Sequence, residues 1–126
     1  VIRRGDIYYI KPAARSTPNG VDELTARPAI VVSNNKNNLY SDYIEIVFLT
    51  TRYKRKLPTH VEIASAPRPS TALCENIQTI NVERLSNYVA KATAKEMREI
   101  DAALAISVGL DIYAAAGGLQ CLKSAT

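Results

Sequence analysis

Tyr43-Ile44-Glu45-Ile46-Val47-Phe48-Leu49-Thr50, followed after one residue by Arg52-Tyr53-Lys54-Arg55-Lys56, is the stretch on which the reading of this chain turns. Eight residues dominated by β-branched and aromatic types, with a single charge, read as a strand. Four positive charges and a tyrosine then follow where that strand ends. A strand end fixes side chains better than a free loop does, and Lys/Arg interleaved with an aromatic is the footprint of a phosphate backbone carrying an unstacked base. Taken alone, the same run equally describes a solvated connection kept soluble by its charge.

Working outward, Pro28-Ala29-Ile30-Val31-Val32-Ser33 is a nearly continuous apolar run, which predicts a strand buried on both faces. Asn34-Asn35-Lys36-Asn37-Asn38 after it predicts a turn. Ile7-Tyr8-Tyr9-Ile10, closed by Pro12, reads as a first strand. Between these strands, Lys11 to Ala26 is a connection of sixteen residues containing Pro12, Ser16, Thr17, Pro18, Asn19 and Gly20. That exceeds an ordinary connection and predicts a functional or mobile loop.

Downstream, His60-Val61-Glu62-Ile63 alternates as a half-buried strand does, and Pro67, Pro69 and Ser70 mark a loop. The strand expected over Thr71 to Ile80 places Ile77 and Ile80 out of phase, so it must bend or bulge near Glu75-Asn76. A polar pair at such a bend is a site candidate. Asn81 to Leu85 reads as one helical turn capped by Asn81, and Ser86 to Lys91 as a last edge strand. Thr93-Ala94-Lys95-Glu96 is a capping box. Met97, Ile100, Leu104 and Val108 then form one apolar stripe, and Gly109 is a natural stop. These elements predict a mainly β fold with a C-terminal α-helix. A single domain over residues 1–110 is expected, followed by a tail over 111–126 with no assigned role.

Composition bounds the function. The chain has 126 residues, 47% of them hydrophobic and 22% charged, as a folded domain requires. Sixteen Lys and Arg against twelve Asp and Glu give a net charge of +4, which biases the partner towards polyanions. Cys74, Cys121 and the single histidine, His60, match no zinc-ligand spacing, and Cys74 lies in an apolar stretch as a small hydrophobe does. No apolar run approaches the ~20 residues of a membrane span. Val1 to Asp6 lacks the apolar middle of a signal peptide, so the expected location is the cytoplasm, away from membranes.

Several chemistries are then removed. A compact acidic cluster for a metal-dependent nuclease is missing, one histidine excludes a histidine-pair mechanism, and there is no G-x-S-x-G turn. Electrostatic catalysis remains. Arg27, where the long loop meets a buried strand, and Thr50, at the end of the next strand, are polar groups held by rigid elements. A forked guanidinium stabilises negative charge on a phosphorane, and a hydroxyl adds one hydrogen bond.

The order of five blocks resembles the MazF/PemK toxin family. They are Arg4-Gly5-Asp6-Ile7-Tyr8, Arg27-Pro28-Ala29-Ile30-Val31-Val32-Ser33-Asn34-Asn35, Phe48-Leu49-Thr50-Thr51, Leu57-Pro58-Thr59-His60-Val61 and Cys74-Glu75-Asn76-Ile77-Gln78-Thr79-Ile80. With Arg84-Leu85 and the final helix, the similarity covers most of residues 3 to 110. The resemblance implies a small SH3-like β-barrel that forms a homodimer and cuts single-stranded RNA without a metal or other cofactor. It further implies a cognate acidic antitoxin whose partly disordered segment occupies the RNA groove.

Carried over residue by residue, Arg27 and Thr50 match the family's catalytic arginine and threonine, and Glu75 falls where a related branch carries an acidic catalytic residue. That branch's arginine two positions earlier is Leu73 here, so its mechanism does not transfer whole. The family's frequent glutamine is Asn76, a shorter side chain for reading bases. The glycine often found before the arginine is absent from Asp22-Glu23-Leu24-Thr25-Ala26-Arg27. The RNA-contacting set expected is Arg52, Lys54 and Lys56 of the basic run together with Glu23, His60 and Asn76. A different class on the same barrel is a non-enzymatic toxin of the CcdB type, which traps a protein target such as DNA gyrase.

Overall fold

The computed structural model describes residues 1–12, 26–52 and 55–111. The expectations attached to Glu23, Tyr53, Lys54, Cys121, the loop over 13–25 and the tail from 112 onward lie outside the described residues.

Six antiparallel strands form one sheet: β1 (Asp6–Ile10), β2 (Arg27–Val31), β3 (Tyr43–Thr50), β4 (His60–Ile63), β5 (Ser70–Asn81) and β6 (Leu85–Lys91), in the order β4-β5-β3-β2-β1-β6. A short helix α1 (Asn35–Tyr40) joins β2 to β3, and α2 (Ala94–Ser107) follows β6. The mainly β class with a C-terminal helix is therefore as the sequence implies. The barrel is open, because no ladder joins β4 to β6 among the described residues.

Both faces of the central strands are buried, as the unbroken apolar run in β2 requires. One face gathers Ile7, Ile30, Val47, Leu49, Ile63 and Cys74 beneath Ile100 and Ala103 of α2. The opposite face gathers Ile10, Ala29, Val31, Ile44, Ile46, Phe48 and Ile80. Each Ile or Leu taken out of water here contributes about 1.5–3 kcal/mol. Pro28 precedes the β2–β3 ladder, which begins at Ala29 opposite Phe48, so its missing N–H leaves no gap there.

Gly5 explains one of the sequence blocks. Its φ of 95° is left-handed backbone, and a Cβ there would meet the Met97 side chain at 3.5 Å. Its amide donates to the Val31 carbonyl at 2.8 Å, and its carbonyl accepts from Ala92 at 3.0 Å, joining the ends of β2 and β6. Asp6 beside it accepts from the Arg3 amide at 2.8 Å and pairs with Lys91 at 3.1 Å.

Two expectations need correction. The asparagine-rich turn is the helix α1: Asn34 caps it by accepting from the Asn37 amide at 2.8 Å, and buried Asn38 donates to the Ser33 carbonyl at 2.8 Å. Asparagines favoured at caps and turns thus start a helix one and a half turns long. Val108 is not part of the α2 core stripe. It is the C-cap, 58% exposed, and the chain turns away at Gly109 with φ 76°. Ile100 is buried, with Met97 and Leu104 partly so.

Other expectations hold in detail. Asn81 caps a 3-10 turn over Val82–Arg84, β6 is an edge strand, and Thr93 and Glu96 form the capping box. Glu96 does more than cap. Its buried carboxylate accepts from the Thr93 amide at 2.9 Å, the Ala64 amide at 2.7 Å and the Ser65 hydroxyl at 2.6 Å, fastening the segment after β4 to the start of α2. Burial pushes its pKa up, but the Ser65 hydroxyl and the Thr93, Ala64 and Ser65 amides outweigh this and hold it below the ordinary glutamate value.

Glu96→Ala is expected to lower stability in urea by about 2–3 kcal/mol at neutral pH, since it strands buried donors. A carboxyl with a depressed folded pKa contributes fully above the unfolded value and fades as pH falls through the folded one. The gap between wild type and Glu96→Gln should therefore narrow in acid, which urea titrations across that range will read.

Candidate active site

Arg27 is the first residue of β2, exposed at the sheet's end. Its guanidinium carbon lies 4.3 Å from the centre of the Phe48 ring, and none of the ion pairs among the described residues involves it. Asp6, the carboxylate on the neighbouring strand β1, is taken by Lys91. Ala29 opposite Phe48 puts Arg27 and Thr50, each two residues further on, at the same end of the sheet. The Thr50 hydroxyl oxygen accepts from the Arg52 amide at 3.2 Å, so its own hydrogen is directed elsewhere. Arg27, Pro28, Leu49, Thr50, Thr51, Arg52 and Leu73 line one cleft of about 560 Å3.

A second cluster forms where β5 bulges. Val47 is opposite Ile77 and Leu49 opposite Ala72, so two steps along β3 answer five along β5, and Leu73 to Asn76 carry the excess. The expected bend is therefore present at Glu75-Asn76. Glu75 accepts from the Thr59 hydroxyl at 3.1 Å and lies 2.9 Å from His60 Nε2. His60 Nδ1 is 2.8 Å from the Arg55 carbonyl, so both ring nitrogens face acceptors. The His60 side chain is only 7% exposed, whereas that of Glu75 is 43% exposed. His60 thus clips the Arg55 carbonyl to the bulge with its side chain largely covered. Desolvation raises the Glu75 pKa, but hydrogen bonds from His60, its own amide and Thr59 bring it below the ordinary value.

The two clusters are neighbours and not one pocket. Leu73, a wall of the Arg27 cleft, pairs across the ladder with His60 and precedes Glu75 by two residues. Glu75 and Asn76 do not line that cleft, and Asn76 is exposed on the bulge. Lys56 and His60 instead border a cavity of about 650 Å3 between β4 and α2, with Glu62, Lys95 and Glu99. Thr50 and Arg52 extend from the Arg27 cleft into a third depression bordered by Glu62 and Thr71. Two participants carried no functional signal in the sequence: Phe48 beneath Arg27, which reads as a core residue, and Thr59, which holds Glu75 across the fold.

Among the described residues no three His, Cys, Asp or Glu side chains gather as metal ligands, and no helix is long and apolar enough to cross a membrane. Cys74 is fully buried, and burial, followed by the Glu75 charge, pushes its thiol up to about 12.

An open antiparallel sheet with one terminal helix defines a small β domain whose one end holds, in a shared cleft, the strand-end Thr50 and an arginine outside every ion pair among the described residues. Residues 3–108 match the family described as PemK-like, MazF-like toxin of type II toxin-antitoxin system, and the chain belongs to that family. An endoribonuclease from a mycobacterial species is 30% identical, with a TM-score of 0.71 over 87% of this chain and 93% of that one. An endoribonuclease in complex with its cognate antitoxin, also mycobacterial, is 30% identical, with a TM-score of 0.73 over 87% of this chain and 97% of that one. The Mycobacterium tuberculosis toxin MazF-mt6, at 22% identity and a TM-score of 0.67 over 84% of this chain and 98% of that one, shares the fold.

In a Cys121→Ser variant, Cys74 is expected to resist iodoacetamide at about pH 8 while the protein is folded, and to react once it is unfolded. Mass spectrometry of the alkylated chain reads the difference.

Proposed function

We propose that this chain is the toxin of a toxin-antitoxin pair and acts as a metal-independent, sequence-specific endoribonuclease on single-stranded RNA. The observation that carries this reading is the shared cleft of Arg27, Thr50 and Arg52. It offers cationic and hydroxyl donors to a phosphate at the end of two rigid strands. The mycobacterial neighbours named as endoribonucleases support the same class of substrate.

In the proposed reaction the ribose 2′-oxygen attacks the adjacent phosphorus, forming a 2′-O–P bond while the P–O5′ bond breaks. The 2′-hydroxyl proton passes to a base, and the departing 5′-oxygen takes up a proton. The products are a 2′,3′-cyclic phosphate and a free 5′-hydroxyl. Arg27 stabilises the charge that builds on the phosphorane oxygens through its forked N–H groups. The Thr50 hydroxyl donates to the same oxygens, its oxygen being occupied by the Arg52 amide.

Glu75 is the candidate base or base-reading group. Its lowered pKa makes it a weak proton acceptor and favours the reading role, with Asn76 beside it on the bulge. Arg52, Lys54 and Lys56 position the phosphate backbone, while His60 contributes by holding Glu75 and the Arg55 carbonyl in place. Glu23 is assigned to the same RNA path. A cytoplasmic homodimer is proposed, with an acidic antitoxin as partner, a pairing supported by the neighbour solved with its cognate antitoxin.

The test is digestion of a long single-stranded RNA in excess EDTA. Wild-type protein should leave 5′-hydroxyl ends, and Arg27→Ala should lose at least about a hundredfold in rate with its circular dichroism unchanged. Thr50→Ala should lose about tenfold, the worth of one hydrogen bond. RNA left intact by wild-type protein would reject the nuclease reading in favour of a toxin that binds a protein target.

Neutralising Arg52 and Lys56 together should weaken RNA binding and lower the slope of log K against log salt by about one per lost phosphate contact. Mapped cut sites should not move, since phosphate contacts carry no sequence information.

A further inference from the structure

We infer that Phe48 is a positioning residue for Arg27: its ring replaces the carboxylate that would ordinarily hold an arginine, and so leaves the guanidinium charge uncancelled for a phosphate. The inference rests on the catalytic role proposed for Arg27.

An arginine at a strand end has a long side chain with many rotamers, and fixing it has an entropic cost that some contact must offset. A carboxylate does so by occupying two of the five N–H donors and cancelling the charge. Arg27 is held otherwise. Its guanidinium carbon lies 4.3 Å from the Phe48 ring centre, within the range of a cation–π contact, and none of the described ion pairs includes it. The ring attracts the cation through its negative face and, unlike a carboxylate, carries no charge to cancel it. Among the described residues no carboxylate neutralises Arg27, so its positive charge stays available to an anion in the cleft.

The ring is itself immobile. Phe48 is 7% exposed, packed with Ala29, Val31 and Ile46 on the sheet face, and directly opposite Ala29, two residues from Arg27. Rigidity passes from the core through the ring to the guanidinium, as a supporting shell must for a catalytic group.

Phe48 is the only phenylalanine in the chain. Expression with 4-fluoro-, 3,5-difluoro- or pentafluorophenylalanine therefore alters this ring alone, weakening its negative face stepwise with little change of shape. Cleavage of a defined RNA oligonucleotide is followed in EDTA for each protein and for Arg27→Ala, with thermal unfolding as the control on folding. The expected result is a stepwise fall in kcat, reaching about tenfold for the pentafluoro ring, with KM changed less than kcat. Phe48→Leu should fall at least as far, and Phe48→Tyr, which restores an electron-rich ring, should recover most of the loss.

The 19F resonance of the 4-fluoro protein should also shift on Arg27→Ala, reporting the cation over the ring directly. A kcat that stays flat across the fluorinated series, while Arg27→Ala is inactive, overturns the inference and leaves the nuclease reading standing. An active Arg27→Ala protein overturns both.

Discussion

The pairing of β2 with β3 is the constraint on which the rest depends. Ala29, Ile30 and Val31 face Phe48, Val47 and Ile46, and their side chains enter the cores on both faces of the sheet. A slip of one residue would send Ile30 to the face of Ile46 and Phe48, and Ala29 and Val31 to the face of Val47, mismatching both cores. Register is therefore held from both sides at once. Because Arg27 and Thr50 extend the same pair of strands, the packing that fixes the register also fixes the distance between the two proposed catalytic groups. The cleft needs little machinery of its own.

The β5 bulge answers the opposite need. A regular ladder would have carried Glu75 along β5 in step with β3, with its side chain committed by the pleat. Placing the excess residues at Leu73 to Asn76 keeps Cys74 in the core and turns Glu75 out towards Thr59 and His60. The cost of that irregularity is offset by hydrogen bonds, including two to side chains of the preceding connection and strand. Rigid strands thus hold the charge-stabilising groups, while a local departure from the ladder presents the polar pair.

Much of this was legible in the sequence because it depends on local pattern. The limits of β3 and β4, the bend near Glu75, the Asn81 cap and the Thr93–Glu96 box follow from alternation, phase and capping chemistry over a few residues. Arg27 and Thr50 stand out as polar groups at strand ends, and it is the family pattern that singles them out. Asn34 to Asn38 misled because the same residue type starts helices and turns, and the outcome depended on Ser33 and Tyr43 as hydrogen-bond partners. The contact of Arg27 with Phe48 and the covering of the His60 side chain were not legible. Both are contacts between segments far apart in sequence or across a turn, and no spacing rule records which side of a ring a cation will occupy.

The ties at the N-terminus bear on the order in which the molecule assembles. Asp6 meets Lys91 across 85 residues of sequence, and β1 is bounded by β6 on one side and β2 on the other. Contacts of such long separation are slow to form, because the loop must close before they repay it. As the chain leaves the ribosome, β1 waits for nearly the whole domain before its outer edge is covered, whereas β2 and β3 meet early through the six-residue helix between them. A nascent chain can thus hold the Arg27–Thr50 corner in outline while its N-terminal edge is still bare. The 41 residues from the end of β3 at Thr50 to the end of β6 at Lys91 separate the first appearance of that corner's framework from its final clamping.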